Sequence, residues 1–449
     1  MQVCMIVHHY PPRHQAGVEL IARRAARWLK QQQYGVEVVC VESIDTGRPG
    51  LQSKSAPYEG IPVHRLSFDL ACIEDPFRAS YDNALIGAWV KTYLEQTRPD
   101  LVHVQSCYLT SASPLQAAHD LQIPTVLSLH DYWTICPWMT LQRPDGSRCS
   151  GSISAADCAW CLLTEKRRYR LPDIVSKHAV GNAVKSVAHR CSLAGWEKRV
   201  AAVADRRRAI AKILPGVDQL TVSSQFLQDS VAALYGMPRE RRTLITYGLD
   251  PGGWPSGAQI ATDGILRLGY IGQLSPQKGV HLLIKAFNRL KVSDDRAQLK
   301  IYGDPSEQPR YVRALRRMAA GNTSITFEGR FDNSRIDEVL QGIDALVVPS
   351  QWYETGPLVT WEAFASGTPV VATDLPNMKH QIRHQVDGLL FAPDESEDLA
   401  RQLQRLVDEP GLIQELSKNI DPVKTHEEEM AEMVNVYQQA LHTRDRGAL

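Results

Sequence analysis

The stretch 266–279, LRLGYIGQLSPQKG, runs an apolar segment into a glycine-bearing turn and then into a helical pattern. That order recurs along the chain. Short apolar runs at 2–8, 36–41, 101–105, 125–129 and 220–223 alternate with helical stretches in the first half, and runs at 266–271, 299–302, 325–327, 345–349 and 369–372 do so in the second. Such alternation marks βαβ units and parallel sheets. The segment 249–264, LDPGGWPSGAQIATDG, is rich in Gly and Pro and interrupts the series, so it is expected to be an interdomain linker. The pattern predicts an α/β protein of two Rossmann-like, doubly wound domains, 1–248 and 265–425. Residues 426–449 are expected to form a final helix, over about 426–442, and a tail packing back toward the first domain.

The chain has 449 residues, 43% hydrophobic and 22% charged, as an ordinary globular protein does. Fifty Lys+Arg balance 50 Asp+Glu, which argues against a nucleic-acid partner. No run of about 18 apolar residues predicts a transmembrane helix, and the short apolar run at the N-terminus reads as a strand rather than a signal peptide. Nine cysteines in so long a chain predict reduced thiols and a cytoplasmic location. The neutral total hides a split: residues 1–248 carry 29 Lys+Arg against 22 Asp+Glu, and 249–449 carry 21 against 28. The densest basic segment, 162–212, has 13 against 4. It is either a solvated helical surface or one that approaches anionic lipid headgroups or a phosphorylated acceptor.

In doubly wound sheets ligands bind beyond the carboxyl ends of the strands, so the loops there hold the candidate chemistry. The turn after 266–271 brings Gly272, Gln273 and Lys278 to the start of a helix, where a phosphate can be held. It is neither GxGxxG nor a Walker A sequence, which counts against nicotinamide and P-loop chemistry. The second candidate is 349–369, PSQWYETGPLVTWEAFASGTP. Here a strand ends near Pro349 and a helix is expected to begin around Pro357. Glu354 then lies beside the helix N-terminus and Glu362 along the helix. Backbone N–H groups at Thr355, Gly356 and Leu358 suit a diphosphate, and the carboxylates suit sugar and ribose hydroxyls.

These residues, together with the AFASGTPVVAT run at 363–373, resemble a retaining GT-B glycosyltransferase of family 4. The loop at 10–19, YPPRHQAGVE with Gly17, is similar to the family's first glycine-containing loop, and 222–227 and 384–391 are similar to further family segments. The resemblance covers nearly the whole chain. It implies GT-B architecture, two Rossmann-like domains facing a central cleft, with a nucleotide-sugar donor on the second and the acceptor on the first. It also implies that Lys278 binds the donor diphosphate, Glu354 the transferred sugar or its phosphate, and Glu362 the ribose hydroxyls. Family members need no divalent metal for catalysis, and the chain contains no Asp-x-Asp. Where many relatives carry Arg in a Gly-Arg-Leu triplet, this chain has Gln273, which hydrogen-bonds but brings no charge. Arg330 is the candidate to compensate.

The loop from Leu129 through His130 to Pro137 is similar to a family loop whose histidine approaches the donor sugar, which makes His130 a catalytic candidate beside Glu354 and Lys278. Just after it, Cys136, Cys149, Cys158 and Cys161 (within the Cys-rich loop 136–161) have the count and approximate spacing of a structural Cys4 zinc site. The intervening residues are short of large apolar side chains, so a metal would supply a missing core. Reduced thiols in a loop are the alternative. The function expected is transfer of a sugar from a nucleotide-sugar to a hydroxyl of a glycan or lipid-linked acceptor, in polysaccharide or glycolipid biosynthesis, with possible peripheral contact with an anionic membrane on its cytoplasmic face. The alternatives are a GT-B-fold sugar-nucleotide epimerase and a non-catalytic carbohydrate-binding relative.

Overall fold

The computed structural model describes residues 1–15, 17–151, 153–250, 263–293, 296–409 and 411–447. The chain forms two compact units, one of 1–223, 227–245 and Met430 onward, the other of 224–226 and Thr246–Glu429. Of the expected linker, 251–262 lie outside the described residues. The residues just before them are held firmly: Leu249 bridges Thr425 in parallel, and the Gly248 N–H donates to Glu429 Oε2 at 2.9 Å.

The first unit is built on eight strands: β1 (Gln2–Val7), β2 (Gly35–Ser43), β3 (Gln52–Tyr58), β4 (Ile61–Ser67), β5 (Leu101–Val104), β6 (Thr125–Leu129), β7 (Gln219–Val222) and β8 (Arg242–Leu244). Their order is β3-β4-β2-β1-β5-β6-β7-β8, parallel except for the β3–β4 pair. β1 is almost wholly buried because helices cover both faces of a parallel sheet. β3 is the opposite case. Its sequence QSKSAPY is exposed nearly throughout, and its Pro57 suits an edge strand that has no second neighbour to bond. One core cluster joins Val3, Met5 and Val7 of β1 to Ala22, Ala26 and Leu29 of the helix Gly17–Gln31 and to Met430, Met433, Val436 and Tyr437 of the helix His426–Gly447. Each such large side chain contributes about 1.5–3 kcal/mol on burial.

Between β6 and β7 the chain runs through four helices, Ala155–Leu163, Arg167–Val175, Ala179–Arg190 and Ala194–Ile213. They have their own core of Cys158, Ala159, Trp160, Ala188, Trp196 and Val203.

The second unit holds β9 (Leu266–Ile271), β10 (Ala297–Tyr302), β11 (Ile325–Gly329), β12 (Ala345–Val348), β13 (Val370–Thr373) and β14 (Gly388–Phe391), all parallel, in the order β11-β10-β9-β12-β13-β14. Hydrophobic clusters cover both faces. Gly269, in the middle of β9, is small because Ile343 packs there: a Cβ at 269 would lie 2.4 Å from the Ile343 Cδ1. The chain proceeds from β9 outward to β10 and β11, then returns to the other side of β9 with β12. The β9–β12 boundary is therefore a switch point, where two loops diverge and leave a crevice at the carboxyl ends. In the first unit the corresponding boundary lies between β1 and β5.

Candidate functional site

The loop after β9 carries Lys278 and the loop after β12 carries Glu354, so the switch point brings together residues 76 positions apart. Lys278 Nζ lies 2.7 Å from Glu354 Oε1 and 5.2 Å from the centre of the Trp352 ring. The same carboxylate oxygen accepts Ser350 Oγ at 2.6 Å and Trp352 Nε1 at 2.8 Å. With three donors on Oε1, the carboxylate is fixed in one orientation. Asn377 Nδ2 holds the Glu354 carbonyl from the helix Pro376–Gln381. Glu354 is nearly buried, and its negative charge adds to burial in raising the Tyr270 phenol well above its ordinary range.

The two loops are also tied through their backbones. Gln351 N–H donates to the Gln277 carbonyl at 2.7 Å, and Gly279, at φ 73°, lies directly against Pro349. A Cβ at Gly279 would come within 1.8 Å of the Pro349 oxygen, so this position needs glycine both for its backbone angle and for its closeness to the neighbouring loop. Gly272 also has a positive φ, and the Gln273 carbonyl beside it accepts the Tyr270 hydroxyl at 2.7 Å while its residue stays exposed.

The helix Leu358–Ala365 begins one residue later than expected, with Pro357 as its N-cap rather than its first helical residue, and no side chain caps it. Its first N–H groups, with the positive end of the helix dipole, sit just past Glu354, Thr355 and Gly356. Glu362 is half-buried further along that helix. Arg330 is exposed at the carboxyl end of β11, near enough to Asp304 to help lower its carboxyl pKa, after the hydrogen bonds from Ser306. The structure thus gathers Lys278 and Glu354, with Gly272, Gln273 and the 355–358 turn in the same two loops. It places Arg330 after the edge strand β11, two strands from β9.

His130 and Gly17 belong to the first unit. Gly17 opens the helix Gly17–Gln31, and a Cβ there would meet nothing within 4 Å. His130 follows β6, and its Nε2 lies 2.9 Å from Gln105 Oε1, after β5. This bond continues into a buried chain that the sequence reading did not anticipate. His103 in β5 contacts Tyr437 OH and Ser128 Oγ, each at 2.7 Å, and Ser128 Oγ meets Thr221 Oγ1 at 2.6 Å. Burial, with the nearby His130, lowers the His103 pKa to about 3, so its imidazole is neutral. Also missed was a cluster beyond β1, at this unit's switch point. His8 lies 3.4 Å from Glu19, His9 Nδ1 bonds the Val41 carbonyl at 2.7 Å, and the His9 and His14 rings stack at 3.8 Å. On the β2 and β4 side of β1, away from β5, a cavity of about 720 Å³ is lined by His9, Arg13, His14, Glu42 and Asp69 among others. Burial raises the Glu19 carboxyl, but the hydrogen bond and charge of His8 outweigh it and leave a net lowering. The signal was the run His8-His9 immediately after an apolar strand.

The zinc expectation gains no support. Among the described residues no group of three or more His, Cys, Asp or Glu side chains is placed to hold a metal ion. All nine cysteines are free thiols. Burial raises the Cys161 thiol to about 12, and the charges of Cys136, Cys158 and Cys149 add to the effect, so the four lie near one another without converging as ligands. Of the four, Cys158 packs in a core with Trp160, Ala188, Trp196 and Val203, and its Sγ accepts Arg207 Nη2 at 3.2 Å. The basic segment is likewise not all solvated. Arg206 is 2% exposed, donates to the Trp133 carbonyl and lies over the Trp133 ring, which fixes the loop after His130.

Two doubly wound units, the second with a cation–carboxylate pair at its switch point, define the GT-B class of protein. Comparison with known proteins agrees. Residues 262–421 match the family described as glycosyl transferases group 1, and residues 16–156 match the glycosyl transferase 4-like domain. The chain belongs to the GT4-type glycosyltransferases of GT-B fold. It is 30% identical to glycogen synthase of Mycobacterium tuberculosis over 44% of this chain and 47% of that protein. It is 28% identical to D-inositol 3-phosphate glycosyltransferase of Stackebrandtia nassauensis over 42% and 46%. The chain spans about half the length of these curated relatives. In fold it resembles HepE of Anabaena, solved with UDP and glucose, at TM-score 0.61 and 17% identity, with 99% of this chain and 100% of that one covered. It also resembles sucrose-phosphate synthase of Thermosynechococcus elongatus at TM-score 0.66 and 17% identity, with 98% and 100% covered.

Proposed function

We propose that the protein is a retaining glycosyltransferase that moves a sugar from a nucleotide-sugar donor to a hydroxyl of a glycan or lipid-linked acceptor. The observation that carries this reading is the Lys278–Glu354 pair at the β9–β12 switch point, beside a helix N-terminus that no side chain caps. Leaving of a nucleoside diphosphate builds negative charge on the bridging oxygen. Lys278 and the first N–H groups of the Leu358–Ala365 helix are the fixed positive groups that stabilise this charge, which is the role a divalent cation has in other enzymes. Glu354, held through Oε1, orients Lys278 and accepts a hydroxyl of the transferred sugar. Glu362 accepts the ribose hydroxyls. Gln273 and Arg330 contact the phosphates, the first as a neutral donor and the second as a charge.

In the first unit, His130 is oriented by Gln105, and the cavity lined by His9, Arg13 and His14 is the candidate acceptor pocket. The acceptor is presented at the cytoplasmic face of an anionic membrane. Two relatives matched in sequence are named glycogen synthase and D-inositol 3-phosphate glycosyltransferase, which supports a nucleotide-sugar donor. The test is a panel of nucleotide-sugars screened by thermal shift, because a bound donor raises Tm in proportion to the logarithm of its concentration over Kd. One donor is expected to stabilise the wild type and to lose that effect in Glu362→Gln. Equal stabilisation of both proteins refutes the ribose assignment.

A further inference from the structure

We infer that the helices Arg167–Val175 and Ala179–Arg190 form a surface that docks on, and inserts apolar side chains into, an anionic lipid membrane. Among the described residues, seven of the eleven large hydrophobic side chains that stand exposed lie between 171 and 193. On the first helix Leu171, Ile174 and Val175 follow i, i+3, i+4 spacing; on the second, Val180, Val184 and Val187 follow i, i+4, i+7. Each set therefore lies along one side of its helix. Val175 is 83% exposed and Val187 55%, whereas Gly181 and Ala188 of the same second helix are buried toward the core of the insertion. Apolar groups grouped on an outward face are costly to leave in water, and their concentration here marks an interaction surface.

The surrounding charge selects the partner. Residues 165–199 carry nine Lys and Arg against three Asp and Glu. Of the three acids, Asp173 is buried and bonded to the His178 ring and the Gly181 N–H. Lys166, Arg167, Lys177 and Arg190 are exposed and make no ion pair among the described residues. A second copy of this face would bring like charge against like. A nucleic acid would leave the valines and leucines in water. An anionic lipid surface satisfies both features, with phosphates to meet the cations and acyl chains to receive the apolar stripe. A purely electrostatic approach of the basic segment would not need the stripe.

Naming a lipid surface as partner builds on the sugar-transfer reading, but the two fail separately in one experiment. The full-length protein is mixed with phosphatidylcholine vesicles, with and without phosphatidylglycerol, at low and high salt, and transfer to a soluble acceptor is measured alongside. Binding is expected to require phosphatidylglycerol, to weaken about fivefold for each of Arg167→Glu and Lys177→Glu, and to survive in part at high salt. The triple variant Val175→Ser, Val184→Ser, Val187→Ser is expected to lose that surviving part by at least about tenfold, with soluble transfer unchanged because these side chains are exposed and far in sequence from the site residues. Unchanged high-salt binding in the triple variant overturns insertion. Equal binding to neutral vesicles overturns the charge argument. A dimer in solution that the triple variant abolishes, without vesicle binding, assigns the surface to a second copy instead. Vesicle binding without any sugar transfer leaves the docking standing and removes the transfer reading.

Discussion

The Lys278–Glu354 pair allows structural and chemical roles to be separated by a double-mutant cycle. Lys278 Nζ and two neutral donors share Glu354 Oε1, and the carboxylate side chain is only 6% exposed. In Lys278→Met this charge keeps the Ser350 and Trp352 bonds but loses its cation. Breaking a fully buried pair costs about 3–5 kcal/mol. Lys278 is 23% exposed, so water relieves part of the loss and about 2 kcal/mol is the expected destabilisation. Glu354→Gln removes the stranded charge, so the double variant should recover most of that loss, with a coupling energy of about 1–2 kcal/mol in urea denaturation. Activity should behave differently. Removing a fixed positive group from a departing diphosphate costs about 100- to 1,000-fold in kcat, and the neutral amide in the double variant restores no charge. The expected result is recovered stability with unrecovered turnover. Two outcomes refute the reasoning: Glu354→Ala transferring sugar as fast as wild type, or activity recovering in step with stability in the double variant. The second would mean that the pair only holds the two loops together.

Two further outcomes follow from the first unit. His103 has its folded pKa lowered to about 3, below the ordinary histidine value of about 6.5, so between these values the unfolded chain binds a proton that the folded chain refuses. Its contribution is intact above pH 6.5 and is lost as pH falls, by up to about 1.4 kcal/mol per pH unit in that window; His103→Gln should flatten the dependence of Tm on pH over pH 4–6.5, roughly the range set by these values, and an unchanged slope would remove His103 as the cause. Prolonged incubation with a strong chelator should leave Tm within about 1 °C, because Cys158 and Trp160 pack against apolar side chains of the later helices rather than against a metal; a fall of several degrees, with zinc found in the eluate, would return the cysteines to a metal site.

The parts of the fold that could be read from the chain are those whose burial leaves a linear record. β1, β5, β6 and β12 are covered on both faces, so each appears as a short run rich in apolar residues, broken in β5 by His103 and in β6 by Ser128. β3 is exposed nearly throughout and reads as loop, although seven residues of it pair with β4. The second unit's candidate residues were visible for a related reason. A site at a switch point is assembled from loops that each follow a readable strand, and the local turn chemistry of Gly272 and Pro357 is recorded in place. The first unit's buried polar chain has no such record. His103, Ser128 and Thr221 sit on three neighbouring strands, and Tyr437 arrives from the last helix, more than 300 residues away. Their adjacency is a product of strand order, which periodicity does not encode. The cysteine reading stayed divided between metal and free thiols on the same physics. Ligand spacing is local and was visible, but the decision between metal and core rested on Ala188, Trp196 and Val203, which fold back from about 30 to 40 residues downstream to supply the apolar surface that the loop itself lacks. Sequence spacing therefore overstates a metal site wherever a later helix can take over the same ordering work, and the chelator experiment distinguishes these two ways of stabilising one loop.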